Sequence, residues 1–306
     1  MAASLNEIAI AVAADEGYAQ HLAAALVSVA VHLPPSARAC FYIIDGGLSK
    51  TSRELLEATI SSHRVRIRWV GMSPRLLNGM SAGGHLSSAT YCKILVPELL
   101  RRYSIDKVLY LDCDVIVLGD LTPIWQEDLR GYALAAIEDI GGKCRKKALA
   151  IPSASPYFNA GVLLFNLRRW REEHLTDRVM AYAAEHGERL MFHDQDALNA
   201  VLHGQWLELP PEWNLQSNML TASLRKVGPA GPIVVHYTGA SKPWHYDNVH
   251  PYRSEYYRYL NMTAWRRYRP PVTLSGMAKK AVKRALPGVA LDWVRREKAR
   301  WAQGIK

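Results

Sequence analysis

Two carboxylates interrupt an apolar run at Val108-Leu-Tyr-Leu-Asp-Cys-Asp-Val-Ile-Val. Burying unpaired carboxylates is costly, so Asp112 and Asp114 need a cation or hydrogen-bond donors close by. At i and i+2 they would face opposite ways along a regular strand, so the chain must turn there if both are to reach one ion. A strand-terminal Asp opening a turn, next to a surface Asp, would account for the same triplet. A second block, Val234-Val-His-Tyr-Thr-Gly-Ala-Ser-Lys-Pro-Trp, narrows the choice. Its apolar run ends in His236, which can complete the coordination of an ion held by carboxylates. Gly239 lets backbone approach a phosphate, and Lys242 supplies a point charge for it.

Two further blocks carry polar residues where a folded core would not call for them. In Tyr157-Phe-Asn-Ala-Gly-Val-Leu-Leu-Phe-Asn-Leu, Asn159 and Gly161 break an apolar strand, which implies that a polar ligand is met there. In His193-Asp-Gln-Asp-Ala-Leu-Asn, the stretch from Asp194 to Asp196 reads as the N-cap and first turn of a helix running through Leu202. Capping explains one Asp, but not three consecutive polar residues.

The elements that must hold these blocks follow from periodicity. Strand-length apolar runs at 8–13, 39–45, 65–70, 108–112, 133–137 and 233–236 alternate with helical segments, of which 18–31 and 50–60 are the clearest. The second of these helices is opened by the capping region of Ser49 and Thr51. The rhythm predicts an α/β chain, Rossmann-like, with a mainly parallel sheet flanked by helices. Ligands of such sheets bind beyond the carboxyl ends of the strands, where Asp15, Asp45 and Asp112 lie. Beyond about residue 150 the pattern becomes irregular, and Arg269-Pro-Pro-Val-Thr reads as a linker.

Taken in order, these blocks resemble glycosyltransferase family 8, above all its bacterial lipooligosaccharide α-galactosyltransferase branch, over roughly residues 6–260. The resemblance implies a GT-A fold, a UDP-sugar donor, Mn²⁺ and retention of anomeric configuration. It also implies roles residue by residue: Asp112, Asp114 and His236 as metal ligands; Ala13 and Asp15 at the uridine; Asn159, Asp194 and Gln195 around the donor sugar. Gly239 and Lys242 match the diphosphate positions, and His85 and Thr90 the acceptor side. Two residues depart from the pattern. Lys93 stands where relatives carry an Arg that contacts the donor, and a Lys cannot reproduce the bidentate fork. Gly17 replaces a side chain that would touch the nucleotide.

A mixed Asp/Asp/His set suits Mn²⁺, with Mg²⁺, which prefers all-oxygen shells, as the alternative. A neutral Gln195 amide is a poor nucleophile. This favours attack from the face that UDP leaves, with Asp194 orienting the sugar hydroxyls and Asp196 as the nucleophile of a two-step alternative. The expected activity is transfer of galactose, or next glucose, to a glycan acceptor of a lipopolysaccharide or another cell-surface glycolipid. A self-glycosylating or non-catalytic sugar-nucleotide-binding protein of the same fold is the rival reading.

Charge separates the chain into body and tail. The net +10 would suit a nucleic-acid binder, but residues 266–306 hold twelve Lys or Arg against two acids, so the remainder is neutral and no nucleic-acid motif accompanies the basic cluster. Residues 1–268 are therefore expected to form the catalytic domain, with the nucleotide-sugar part at about 1–150 and the acceptor part at 151–268. Residues 269–306 are expected to form a basic amphipathic tail, split into two helices at Pro287-Gly288, that meets an anionic membrane surface. The start of the chain lacks a basic n-region, no apolar run approaches the roughly 20 residues of a membrane span, and four scattered cysteines suit a reducing compartment. The expected location is cytoplasmic, on the inner face of the membrane.

Overall fold

A computed structural model describes residues 7–60, 64–72, 88–220, 231–272 and 274–285. The first two strands are apolar through their interiors because the sheet is covered on both faces there. In β1 (Glu7–Ala14) and β2 (Arg38–Asp45) nearly every interior residue is buried. They pair in parallel from Glu7↔Arg38 to Ala14↔Asp45, and β3 (Val65–Gly71) adds in parallel to β2. The connections are α1 (Ala19–His32) and α2 (Lys50–Thr59), and α2 begins where the Ser49 hydroxyl accepts from Ser52 N–H.

After α3 (Ser88–Leu99), β4 (Lys107–Leu111) enters beside β1, again in parallel. The next strand, β5 (Val115–Val117), leaves this sheet for a smaller one. A short α4 (Thr122–Gln126) leads to β6 (Leu134–Glu138), and β7 (Phe158–Asn166) follows. Next come α5 (Leu167–Glu172), α6 (Leu175–His186), α7 (His193–Leu202) and β8 (Trp206–Glu208). The large sheet runs β3-β2-β1-β4-β7-β6-β8, with β7 antiparallel to both neighbours and all other pairs parallel. The small sheet places β10 (Val234–His236) between β5, antiparallel, and β9 (Leu215–Gln216), parallel.

Alternate residues of β1 point into two separate cores. Ile8, Ile10 and Val12 face a core shared with α1, α2 and the late helix α8 (Arg253–Leu260). Ala9 and Ala11 face the other, filled by α3, α5, α6 and α7. The stretch beyond residue 150, irregular by sequence pattern, thus forms regular elements among the described residues. Its longest strand, β7, lies inside the large sheet and is buried on both faces, so it carries no polar alternation to announce it. Of the tail, residues 274–285 form α9 (Leu274–Ala285), and the expected second helix lies outside the described residues. Among the described residues no helix is long and apolar enough to cross a membrane. All four cysteines are free, and Cys144 alone of them is exposed.

Candidate functional site

The turn that a shared ion demands of Asp112 and Asp114 is made by leaving one sheet for the other. β4 ends at Leu111, the next three residues turn, and β5 starts at Val115 opposite His236 in the small sheet. The turn is fixed by backbone: Asp112 N–H donates to Gly161 O at 2.9 Å and Tyr237 N–H donates to Asp114 O at 3.0 Å. Between the two acids, the buried Cys113 thiol donates to Ala13 O at 2.9 Å, tying the turn to the end of β1. His236 Nε2 then lies 3.2 Å from Asp114 Oδ1 and 3.9 Å from Asp112 Oδ2, and one ligand atom of each residue falls within 4.8 Å of the others. Two carboxylates and an imidazole so converged could hold a divalent ion. Gly161 is what allows it: a Cβ there would stand 2.1 Å from His236 Cε1 and 2.9 Å from Asp112 Oδ2.

Two ammonium groups flank the cluster. Lys93 Nζ, on α3, sits 3.2 Å from Asp112 Oδ1, 3.0 Å from Asp194 Oδ2 and 3.2 Å from Ala160 O. Lys242 Nζ pairs with Asp114 Oδ2 and donates to Tyr237 O at 2.7 Å. Burial alone would push the Asp114 carboxyl up, but Lys242 and His236 together hold it well below the usual carboxylate range. At Asp194 the balance falls the other way, because burial raises the carboxyl more than Lys93 lowers it. Burial would lower Lys93, yet Asp112 and Asp194 carry it above its ordinary value. Lys93 therefore remains a fixed cation bridging Asp112 to Asp194.

Asp194 and Asp196 lie in the first turn of α7 but not at its N-cap, which is Phe192 and has no side-chain bond. They face different surroundings. Asp194 borders the cluster, whereas Asp196 is fully buried, accepting from Tyr157 OH at 2.6 Å, Phe192 N–H at 2.9 Å and Arg145 Nε at 3.1 Å. Its carboxylate neutralises Arg145 inside the protein and is not presented as a nucleophile. Gln195 is held from both ends. Its Oε1 accepts from Ala160 N–H at 3.0 Å and Asn159 Nδ2 at 3.2 Å, and its Nε2 donates to Asp139 Oδ2 at 3.2 Å.

On the opposite rim Asp15 is exposed and caps the turn Glu16–Tyr18 by accepting from Tyr18 N–H. Ala13 is partly exposed at the end of β1, beside Cys113. A side chain at Gly17 would meet Asp15 Oδ1 at 3.3 Å. Gly239 follows β10 with φ of 85°, a left-handed conformation that favours glycine, and the space around it is open. Asp45 does not join the site: it accepts from Gly47 and Leu48 N–H and pairs with Arg53. His85 and the side chain of Thr90 lie outside the described residues.

Sequence reasoning missed Asp139 and Asn214. Asp139 follows β6 on the same sheet edge as Asp112 and takes bonds from Gln195 Nε2, Asn218 Nδ2 and Gly141 N–H. The rule that singled out acids after strands applied equally to Asp139. Asn214, fully buried at the entry to β9, faces His236 Nδ1 at 3.0 Å. Its only sequence signal is a polar residue between Trp213 and Leu215.

Comparison with known proteins identifies the family of the chain. Residues 9–248 match the family model "Glycosyl transferase family 8". The chain is 34% identical over 264 residues to General stress protein A of Bacillus subtilis, covering 82% of this chain and 92% of that one. It is 26% identical over 236 residues to the lipopolysaccharide 1,2-glucosyltransferase of Escherichia coli K12, covering 74% and 70%. Among solved structures, galactosyltransferase LgtC in complex with donor and acceptor sugar analogs superposes with a TM-score of 0.75 at 27% identity, covering 89% of this chain and all of that one. The chain belongs to glycosyltransferase family 8, has the GT-A fold of that family and is a glycosyltransferase.

Proposed function

With membership of family 8 as the premise, we propose that this enzyme transfers galactose, or next glucose, from a UDP-sugar to a glycan of a lipopolysaccharide or other cell-surface glycolipid, with retention of configuration and with Mn²⁺. The observation that carries the reading is the convergence of Asp112, Asp114 and His236 at the carboxyl ends of the strands, beside Lys242. The galactosyl donor takes its support from the likeness to LgtC, and glucose and the lipopolysaccharide acceptor from the Escherichia coli relative.

The reaction breaks the bond between the sugar C1 and the diphosphate oxygen, so negative charge grows on departing UDP. Asp112, Asp114 and His236 would hold a divalent ion, which would supply Lewis-acid stabilisation of that charge. Lys242, on the loop after His236, adds a positive charge that can meet the diphosphate. Gln195 is neutral and both lone-pair directions of its Oε1 receive protein N–H groups, so it positions rather than attacks. Asp194, held by Lys93, is the carboxylate placed to orient sugar hydroxyls. With Asp196 buried against Arg145, attack by the acceptor on the face that UDP leaves is the route these residues favour.

A screen of UDP-sugars for Mn²⁺-dependent hydrolysis without acceptor fixes the donor. Asp114→Asn should lower turnover by on the order of 10²-fold or more, the scale of losing a major electrostatic stabiliser. Near-normal activity of that variant after chelation and Mn²⁺ reconstitution would sink the metal assignment.

A further inference from the structure

His236 can serve as a metal ligand through Nε2 only if its proton sits on Nδ1, and in water a neutral imidazole is free to hold it on either nitrogen. The structure removes that freedom through a chain of amides whose polarity is set by two backbone N–H groups. A backbone N–H only donates, so each atom that receives one must be an oxygen. Gly161 N–H points to one side-chain atom of Asn159 at 3.0 Å, which is therefore Oδ1. Ala160 N–H points to Gln195 Oε1 at 3.0 Å in the same way. Exchanging O and N in Asn159 would set donor against donor at Gly161 and acceptor against acceptor at Gln195. Its orientation therefore has no alternative.

The next link follows. Asn214 reaches Asn159 Oδ1 at 2.9 Å, and only its Nδ2 can donate there. That leaves Asn214 Oδ1 against His236 Nδ1 at 3.0 Å, where only an imidazole N–H satisfies it. Asn214 has no exposed surface, and Asn159 and His236 are 6% and 4% exposed, so water cannot substitute for a lost partner without opening the packing. Nε2 is left facing Asp112 and Asp114, where an ion would take its lone pair.

We infer that Asn214 is a positioning residue for the metal centre: relayed through Asn159 from Gly161 N–H, it holds His236 in the Nδ1–H tautomer with Nε2 directed at the ion. The inference rests on the reading of Asp112, Asp114 and His236 as the metal site. It also changes what Asn159 does. Both ends of its amide are engaged within the protein, so Asn159 acts by joining Gln195 on one side to the metal histidine on the other.

The tautomer is read from the ¹⁵N shifts of the histidine side chains in the metal-free protein, with the His236 signal assigned by its loss in His236→Gln. In the wild type Nδ1 should carry a proton, with or without a second one on Nε2, which faces Asp114 when no ion is bound, and a bare Nδ1 overturns the inference without any variant at position 214. Asn214→Leu keeps the volume but offers no acceptor. It should give a mixed tautomer and bind Mn²⁺ about 10- to 100-fold more weakly, titrated by electron paramagnetic resonance with UDP present, as expected when the partner of a metal-bound histidine is lost. An unchanged Mn²⁺ affinity in a variant with the wild-type unfolding midpoint overturns the role given to Asn214. Wild-type protein that shows the Nδ1–H tautomer but takes up no Mn²⁺ overturns the metal reading itself, and the two failures are thereby distinct.

Discussion

Gly161 concentrates several demands in one residue. Its carbonyl accepts from Asp112 N–H, its N–H sets the orientation of Asn159, and its missing side chain is the space that His236 occupies. Gly161→Ala should therefore push the imidazole away from Asp112 and Asp114 while leaving the rest of β7 in register. Displacements of about 1 Å at a reacting site can cost 10²-fold, and Gly161→Ala should lose transfer on at least that scale. Steady-state rates across a Mn²⁺ series check this, and wild-type rates at ordinary Mn²⁺ would show that the cluster does not need the space. At this scale the sequence was informative where residue types are rare in their setting. Carboxylates inside an apolar strand and a histidine at a strand end stood out, and the structure brings Asp112, Asp114 and His236 together. Asn214 could not stand out, because an asparagine beside tryptophan and leucine looks the same whether it faces water or a buried imidazole.

The helix after the first strand does more than cross over. On α1, His21 stacks on Trp244 at a centroid distance of 3.5 Å and its Nδ1 meets Tyr256 OH at 2.7 Å. It thus joins α1 to α8 and to the loop that carries Lys242. Burial lowers the His21 pKa from its ordinary value of 6.5 to about 3. The folded state holds this ring neutral while the unfolded chain takes up a proton, so its contribution is complete above about pH 6.5 and declines as the pH falls towards 3. By pH 5 the loss is roughly 2 kcal/mol. Denaturant unfolding at pH 7 and pH 5 should show a drop smaller by about that amount in His21→Asn than in the wild type, and equal drops would refute the assignment. His250, also lowered by burial to about 4, adds to both curves and cancels in the difference. Elements with a period were legible in the same way as α1, which begins and ends one residue later than expected. β8 and β9 span three and two residues and offer no period to read. They exist because neighbouring strands give their backbones partners.

Over the whole sequence, net charge gathers at one end of the chain. The body is neutral, whereas residues 266–306 hold the entire net charge of +10. At the start of that segment Leu274 on α9 is 86% exposed and Met277 is 49% exposed, while Lys280 lies over the ring of Tyr246 at 4.4 Å. Exposed apolar side chains among lysines suit the headgroup layer of an anionic membrane, where each Lys or Arg adds about 1 kcal/mol of attraction. A chain ending near Pro271 should keep Mn²⁺-dependent transfer to a short soluble acceptor yet no longer sediment with anionic vesicles at low salt. Equal vesicle binding by the two lengths would remove the tail from the account.

The order of the large sheet also bears on how the molecule behaves among its own copies. Its outer strands are β3 and β8, and each outer rim is a row of backbone groups on which another chain could build. β8 is too short to template an addition, and β3 carries two exposed arginines, Arg66, which pairs with Glu7 of β1, and Arg68. A sheet with a deeply apolar centre therefore ends in an arginine-bearing strand on one flank and a three-residue strand on the other, two features that work against sideways growth.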